Sequence, residues 1–345
     1  MKKSAYARAG VDIDEMMDGL SAVKGMIKRT ATPAVLSGLG SFGGLFTSPG
    51  KDHVLVASTD GVGTKLKVAA MAQRHDTVGQ DIVNHCVDDI LVQGARPLFF
   101  LDYLGTSRLS SDVFKAVVSG MCKACKQNGC ALLGGETAEM PGLYPKGEYD
   151  LVGTIVGTVP RRKLVTGDSV REGDVLIGLP SSGLHTNGYS LARKIIFDRA
   201  RLAVDDQFPG TKRRVADVLL AVHRSYLKPV SAVLDSVAVE GMAHLTGGGF
   251  TDNIPRVLPS GLRAVIDRSA WRVPPLFRFL QEQGKIDTAE MFRVFNMGIG
   301  FILMVRPRHV NRAMTVLRRV RAGAVTIGTI ERGKGGVRYL PPLDA

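Results

Sequence analysis

The chain is poor in cysteine, with four in 345 residues: Cys86, Cys122, Cys125 and Cys130. So few thiols exclude a disulfide-stapled secreted scaffold and suit free thiols in a reducing cytoplasm. Cys122-x-x-Cys125 with Cys130 behind it lacks the nearby histidine or fourth cysteine of a tetrahedral zinc set, so small buried residues are expected there. Aromatic residues make up only 6%, with one tryptophan, and do not interleave with basic ones. That leaves little to stack nucleic-acid bases. No apolar run approaches the roughly 20 residues of a membrane helix. The basic start Met1-Lys2-Lys3 leads to Asp12 and Asp14 rather than to an apolar stretch, so no secretory signal is expected. The 40 glycines and 16 prolines show no period, which removes collagen-like and low-complexity readings. A Walker A loop is missing as well.

What is present is ordinary globular material, 45% hydrophobic and 22% charged, and long enough for two packed domains. The net charge of +13 is uneven. Residues 1–170 carry 19 Lys+Arg against 17 Asp+Glu; residues 171–345 carry 26 against 15. A nearly neutral half and a strongly basic half suggest that the second meets anions. Its arginines are scattered along apparent helices, as in Arg306, Arg308, Arg312 and Arg318. A solvated basic surface, with a few cations left for small phosphorylated ligands, is favoured over nucleic-acid binding.

Hydrophobic periodicity alternates strands and helices. Strands are expected over His53–Thr59, Pro97–Leu104, Ala131–Leu133, Leu151–Val159, Val175–Leu179, Ala264–Asp267, Gly298–Val305 and Ala324–Ile330. Helices are expected over Asp81–Gly94, from Ser110/Ser111 to the Asn128-Gly129 stop, and over Tyr189–Arg199, Ala216–Leu227, Val230–Val237, Pro275–Gln283 and His309–Val320. The charged stretch Pro160–Gly173 is the expected joint. The outcome is an α/β (α+β) chain of two domains, residues 1–165 and 170–345.

Several segments carry chemistry. Gly38-Leu39-Gly40-Ser41-Phe42-Gly43 matches a dinucleotide fingerprint, but the glycines and proline after it stop a helix, so a glycine-rich flap beside a ligand is preferred. Asp60-Gly61-Val62-Gly63-Thr64-Lys65 follows a strand directly. Its glycines admit a ligand to the backbone, Lys65 brings a point charge, and Asp60 a hard oxygen donor. Asp81 and Asp88 lie seven residues apart on one helix face, and Asp89 is expected to turn aside. Such acids suit magnesium, or else form a solvated face. Gly134-Gly135-Glu136 follows a short strand, with Glu136 as a candidate ligand. Ser181–Ser190 joins a strand to a helix with small hydroxyls and glycines, which suits an anion. His185 within it is a candidate acid or base, or a plain loop hydrogen-bonder. His244-Leu245-Thr246-Gly247-Gly248-Gly249 offers consecutive backbone N–H groups for phosphate, or a tight turn.

In this order, Gly10–Asp14, Asp60–Lys65, Pro97–Tyr103, Gly134–Gly142, His185–Arg193 and His244–Pro259 resemble the phosphoribosylformylglycinamidine cyclo-ligase family, also called aminoimidazole ribonucleotide synthetases. The resemblance spans residues 5 to 335. It implies a homodimer in which N-terminal sheets pair into a barrel and the C-terminal domain forms an α/β layer. It further implies ATP and Mg2+ as cofactors, formylglycinamidine ribonucleotide as substrate, a cytoplasmic location, and no nucleic-acid or membrane partner. The implied reaction phosphorylates an amide oxygen to an iminophosphate, from which phosphate leaves as the ring closes.

Carried across by resemblance, Lys24, Asp60, Gly61, Gly63, Thr64, Lys65, Asp89, Gly135 and Glu136 would hold the nucleotide, with Asp60, Asp88 and Asp89 on the metal. Ser182, Asn187, Thr246, Gly247, Gly248 and Gly249 would hold the ribonucleotide, and His185 and Lys65 would be catalytic. The family commonly has asparagine where Asp88 stands and an acidic residue where Arg96 stands; Glu15-Met16-Met17 also departs from its pattern. Rival readings are a phosphotransferase of the same superfamily, like thiamine-monophosphate kinase or selenophosphate synthase, and a basic RNA-binding protein.

Overall fold

The structure is a computed structural model that describes residues 36, 44–48 and 50–343. Lys24, the segment 10–14 and the glycines at 38, 40 and 43 lie outside the described residues. The chain folds as a mixed α/β protein around two sheets.

The first half runs β1 (Gly44–Thr47), β2 (His53–Gly61), α1 (Lys65–Met71), α2 (Asp76–Leu91), β3 (Arg96–Thr106), α3 (Ser111–Asn128), β4 (Ala131–Glu139) and β5 (Tyr149–Pro160). Its sheet has the order β1-β2-β5-β3-β4. β4 joins β3 in parallel, and the other neighbours are antiparallel. Strict alternation along β5 turns Leu151, Ile155 and Val159 inward and leaves Val152, Thr154 and Val156 half-buried on the other face. Among the described residues, α2 covers the first face only. Helix α3 packs on α2 where Gly79 and Gly120 cross: a Cβ on Gly79 would lie 2.0 Å from the Val117 carbonyl oxygen. The helix boundaries of α3 follow from the local chemistry. Ser110 Oγ accepts from Val113 N, and Gly129 closes the C-terminus at φ 70°.

The second half runs β6 (Val175–Pro180), α4 (Tyr189–Arg193) continuing into a π-helical turn over Lys194–Arg199, α5 (Val215–Leu219), α6 (Leu227–Leu234), β7 (Gly241–His244), α7 (Gly249–Asn253), β8 (Leu262–Asp267), α8 (Pro275–Gly284), α9 (Thr288–Val294), β9 (Ile299–Val305), α10 (Pro307–Arg319), β10 (Val325–Arg332) and β11 (Val337–Leu340). The sheet order is β11-β8-β10-β6-β9-β7. β9 lies between β6 and the edge strand β7 with all seven residues buried, which is why it is continuously apolar.

Three expectations change. The helix expected over Ala216–Leu227 stops at Leu219, and residues 220–226 form an irregular segment. Its backbone polar groups are satisfied by side chains of the other half, so helical hydrogen bonds are not needed there. Gly134, Gly135 and Glu136 are not a strand-end loop but lie inside the edge strand β4. Of Cys122, Cys125 and Cys130, only Cys125 is buried; Cys122 is exposed. Among the described residues, no helix is long and apolar enough to cross a membrane.

Candidate functional site

Helix α2 is buried on both sides. Its apolar stripe (Ile82, Val83, Cys86, Ile90) faces the first sheet and core, while a polar stripe faces the second domain. Asp81, His85, Asp88 and Asp89 stand at i, i+4, i+7 and i+8, one continuous helix face. All four are buried. Asp89 therefore does not turn aside; it joins the same face.

The lower end of this stripe is structural. Lys65 Nζ sits 2.7 Å from Asp81 Oδ2, with both side chains fully buried. The ammonium also donates to the carbonyl oxygens of Ala221 (2.8 Å) and His185 (3.2 Å). Burial pushes Lys65 down and Asp81 up despite their mutual attraction. With three protein partners and no exposed surface, Lys65 is a cation that ties the domains together. The expectation of a phosphate-contacting or catalytic Lys65 finds no support in this geometry. Asp88 is likewise turned to the second domain. Its Oδ1 accepts from Tyr226 N at 2.8 Å and its Oδ2 lies 3.5 Å from His223 Nε2. Burial holds its carboxyl well above the usual carboxylate range. It does not converge on Asp60.

Asp60, at the end of β2, does converge on Asp89. His85 Nε2 stands between them, 2.8 Å from Asp60 Oδ2 and 3.6 Å from Asp89 Oδ2. Burial opposes charge on this imidazole, but the two carboxylates override it and push His85 up to about 9. Burial alone would raise Asp60; His85 holds it below its ordinary value instead.

Three more histidines continue the network across the joint. His244 Nδ1 lies 2.8 Å from Asp89 Oδ1, and its Nε2 lies 3.1 Å from His223 Nε2. The His185 ring stacks on His223 with centroids 4.0 Å apart. His185 Nε2 accepts from Ser182 N at 3.2 Å. Gly300 makes room for this ring, since a Cβ there would lie 2.6 Å from His185 Cε1. Burial drives His185, His223 and His244 below the ordinary histidine value, so these three are neutral.

The loops of both domains meet above this network. Thr64 Oγ1 is 3.2 Å from Ser190 Oγ. Gly63 (φ 68°) is exposed, with open space where a Cβ would be. A Cβ on Gly247 would lie 3.3 Å from Asn187 Oδ1, so the two expected ribonucleotide loops are adjacent. Gly61 N–H is taken by Asp60 Oδ1 at 2.7 Å. Thr246 and Gly247 are partly open, whereas Gly248 and Gly249 are buried. Gly249 N–H already donates to the Thr246 carbonyl at 3.0 Å, so it is not one of a row of open donors. Asn253 Nδ2 braces the turn from the carbonyl side of Gly247 and Gly249. Ser182 Oγ donates to the Val222 carbonyl at 2.5 Å, which fixes its loop against segment 220–226.

Glu136 and Gly135 are not part of this assembly within one chain. Gly135 lies in one cross-strand row with Asp102, Gly153 and Asp60, three strands away from Asp60. That is about 14 Å at ~4.8 Å per strand, too far for one cation. Sequence reasoning missed His85, His223 and the use of His244. The i, i+4 spacing of Asp81, His85 and Asp89 was the available signal for His85. Nothing local marked His223, whose place is set by the irregular segment.

Two family models match the chain: AIR synthase related protein, N-terminal domain, over residues 35–159, and the C-terminal domain of the same description over residues 171–340. A phosphoribosylformylglycinamidine cyclo-ligase of Geobacter metallireducens is 51% identical over 338 residues, covering 97% of each chain. One of Desulfitobacterium hafniense is 50% identical over 339 residues, covering 97% of this chain and 99% of the relative. Among solved structures, thiamine monophosphate kinase from Aquifex aeolicus superposes with a TM-score of 0.64 at 16% identity, covering 95% of this chain and 98% of that one. Escherichia coli HypE, a hydrogenase maturation protein, gives 0.62 at 22% identity, covering 83% and 81%. At these identities the two structures share the fold with this chain.

Proposed function

Since the chain belongs to the AIR synthase related family, and within it to the phosphoribosylformylglycinamidine cyclo-ligases, we propose that the domain joint is the cleft where its reaction takes place. The activity is a ring closure in purine biosynthesis that forms a carbon–nitrogen bond. ATP and formylglycinamidine ribonucleotide are converted to aminoimidazole ribonucleotide, ADP and phosphate. The observation that carries this reading is identity of about half the residues over nearly the full length. The meeting of loops 60–65, 181–190 and 244–249 from the two domains supports it.

An amide oxygen leaves poorly; as a phosphate it leaves well. The protein must therefore align a triphosphate with that oxygen and exclude water. In our reading Asp60 and Asp89 would hold a magnesium ion in place of the imidazolium proton between them, because two hard carboxylate donors converge where His85 Nε2 stands. Bound there, the ion would neutralise the charge of the triphosphate. Asp88 and Glu136 stand outside that pair. Gly63 and Thr64 line the nucleotide side, with Asn187, Thr246 and Gly247 on the ribonucleotide side. His185 orders loop 182–186 through Ser182 and, being buried and neutral, acts as a positioning group. The sheet face of half-buried Leu55, Tyr103, Val152 and Val156 and exposed Leu101 would pair with a second copy and close the sheets into a barrel.

A coupled ADP-release assay tests the reading. Turnover with formylglycinamidine ribonucleotide and none with thiamine monophosphate is expected. The reverse pattern would replace the proposal by the phosphotransferase alternative.

A further inference from the structure

Four of the chain's seven histidines are buried in one place. Among the described residues, His185, His223 and His244 bring ligand nitrogens within 4.8 Å of one another. The closest pair, His223 Nε2 and His244 Nε2, is 3.1 Å apart. Two nitrogens on a tetrahedral ion at ~2.0–2.1 Å from the metal are separated by about 3.3 Å, so this spacing needs almost no movement.

The surroundings are those of a metal-binding histidine. His244 Nδ1 is held by Asp89 Oδ1, which leaves the Nε2 lone pair pointing at His223. A carboxylate behind a ligating imidazole fixes both its tautomer and its orientation. His223 Nδ1 has Thr186 Oγ1 at 3.4 Å, to receive its proton if Nε2 ligates. His185 Nδ1 has no hydrogen-bond partner among the described residues, and Asp88 Oδ2 has only the 3.5 Å contact to His223 Nε2. Both side chains are almost wholly buried. At that distance Asp88 Oδ2 is within reach as a fourth donor. Buried polar atoms so poorly partnered call for a ligand, and these two flank the same histidine.

We propose that His185, His223 and His244 form a site for a zinc-class divalent metal at the domain joint, with Asp89 orienting His244 and Asp88 completing the set. Nitrogen donors select such an ion over magnesium, which prefers oxygen. The site is distinct from the Asp60–Asp89 locus on the far side of His85. Its ligands come from loop 181–190, segment 220–226 and the end of β7, while Asp88 and Asp89 come from α2. A bound ion would therefore clamp the two domains. Ligation by His185 would use its unpartnered Nδ1 and requires its ring to turn out of the near-parallel stack on His223.

The test is equilibrium dialysis of the full chain against Zn2+ in excess Mg2+, with metal counted by mass spectrometry, and Co2+ titration followed in the visible range. One Zn2+ per chain and the strong absorption of tetrahedral Co2+ are expected. His223→Gln should abolish the absorption and weaken zinc at least tenfold; Asp89→Asn should weaken it about 10- to 100-fold, as for other residues behind a metal ligand. If His223→Gln does not fold by circular dichroism, His185→Gln serves in its place. No stoichiometric zinc in the wild type, or undiminished binding by the folded histidine variant, overturns the site. The readout is metal and not turnover, so its failure leaves the ADP-release result standing.

Discussion

Replacing His85 by glutamine removes the cation that separates Asp60 from Asp89. The size of the effect follows from the protonation of the imidazole. Raising it from 6.5 to about 9 is worth about 3 kcal/mol, at about 1.4 kcal/mol per pH unit. The folded state binds this proton more tightly than the unfolded chain. The stabilisation is therefore whole below pH 6.5 and is lost as the pH rises towards 9. The three neutral histidines act in the opposite direction. Their folded values lie below 6.5, so they cost stability as the pH falls under it. The four together place the cluster's optimum near pH 6.5. Urea unfolding of wild type and His85→Gln, with EDTA present, isolates the first effect. The stability gap between them at pH 6 should exceed the gap at pH 10 by about 3 kcal/mol. Equal gaps at the two pH values would refute the assignment of the proton to His85.

Lys65→Met should destabilise the chain by about 3–5 kcal/mol, because it leaves Asp81 buried and unpaired; a denaturation midpoint close to wild type would contradict the clamp. Asp60→Asn should lower ATP-dependent turnover by orders of magnitude with the fold intact by circular dichroism, and near-normal turnover would remove Asp60 from the metal locus. Gly249→Ala should reduce stability: the residue has φ 53°, and an added Cβ would lie 2.1 Å from the Phe292 carbonyl oxygen. Thermal melting checks this, and an unchanged midpoint would show that the turn relaxes without cost.

Much of the architecture was legible in one dimension. Strands β2, β3, β5, β6 and β9 and helices α3 and α8 fall where their apolar period and caps put them, to within a few residues. These signals are local, because a strand or an amphipathic helix writes its buried face into its own sequence. The short strands β1, β7 and β11 carry too few residues to show a period. Residues 220–226 look helical by composition and are not, because Asp81, Asn84 and Asp88 of a distant helix satisfy their backbone groups.

The site divides in the same way. Sequence motifs alone were enough to nominate Asp60, His185 and the glycine loops, since glycine next to a carboxylate or hydroxyl at a strand end has a local meaning; Asp89, in mid-helix, took its role only from the family resemblance. Tertiary packing decided what each one does. It sealed Lys65 against Asp81, turned Asp88 towards His223, and kept Glu136 three strands from Asp60. It also gathered His85, His185, His223 and His244 from four separate stretches of chain. The strength of a charge or a ligand depends on how much water it has lost and on what stands within a few ångströms. Neither quantity exists until the two domains have closed on each other.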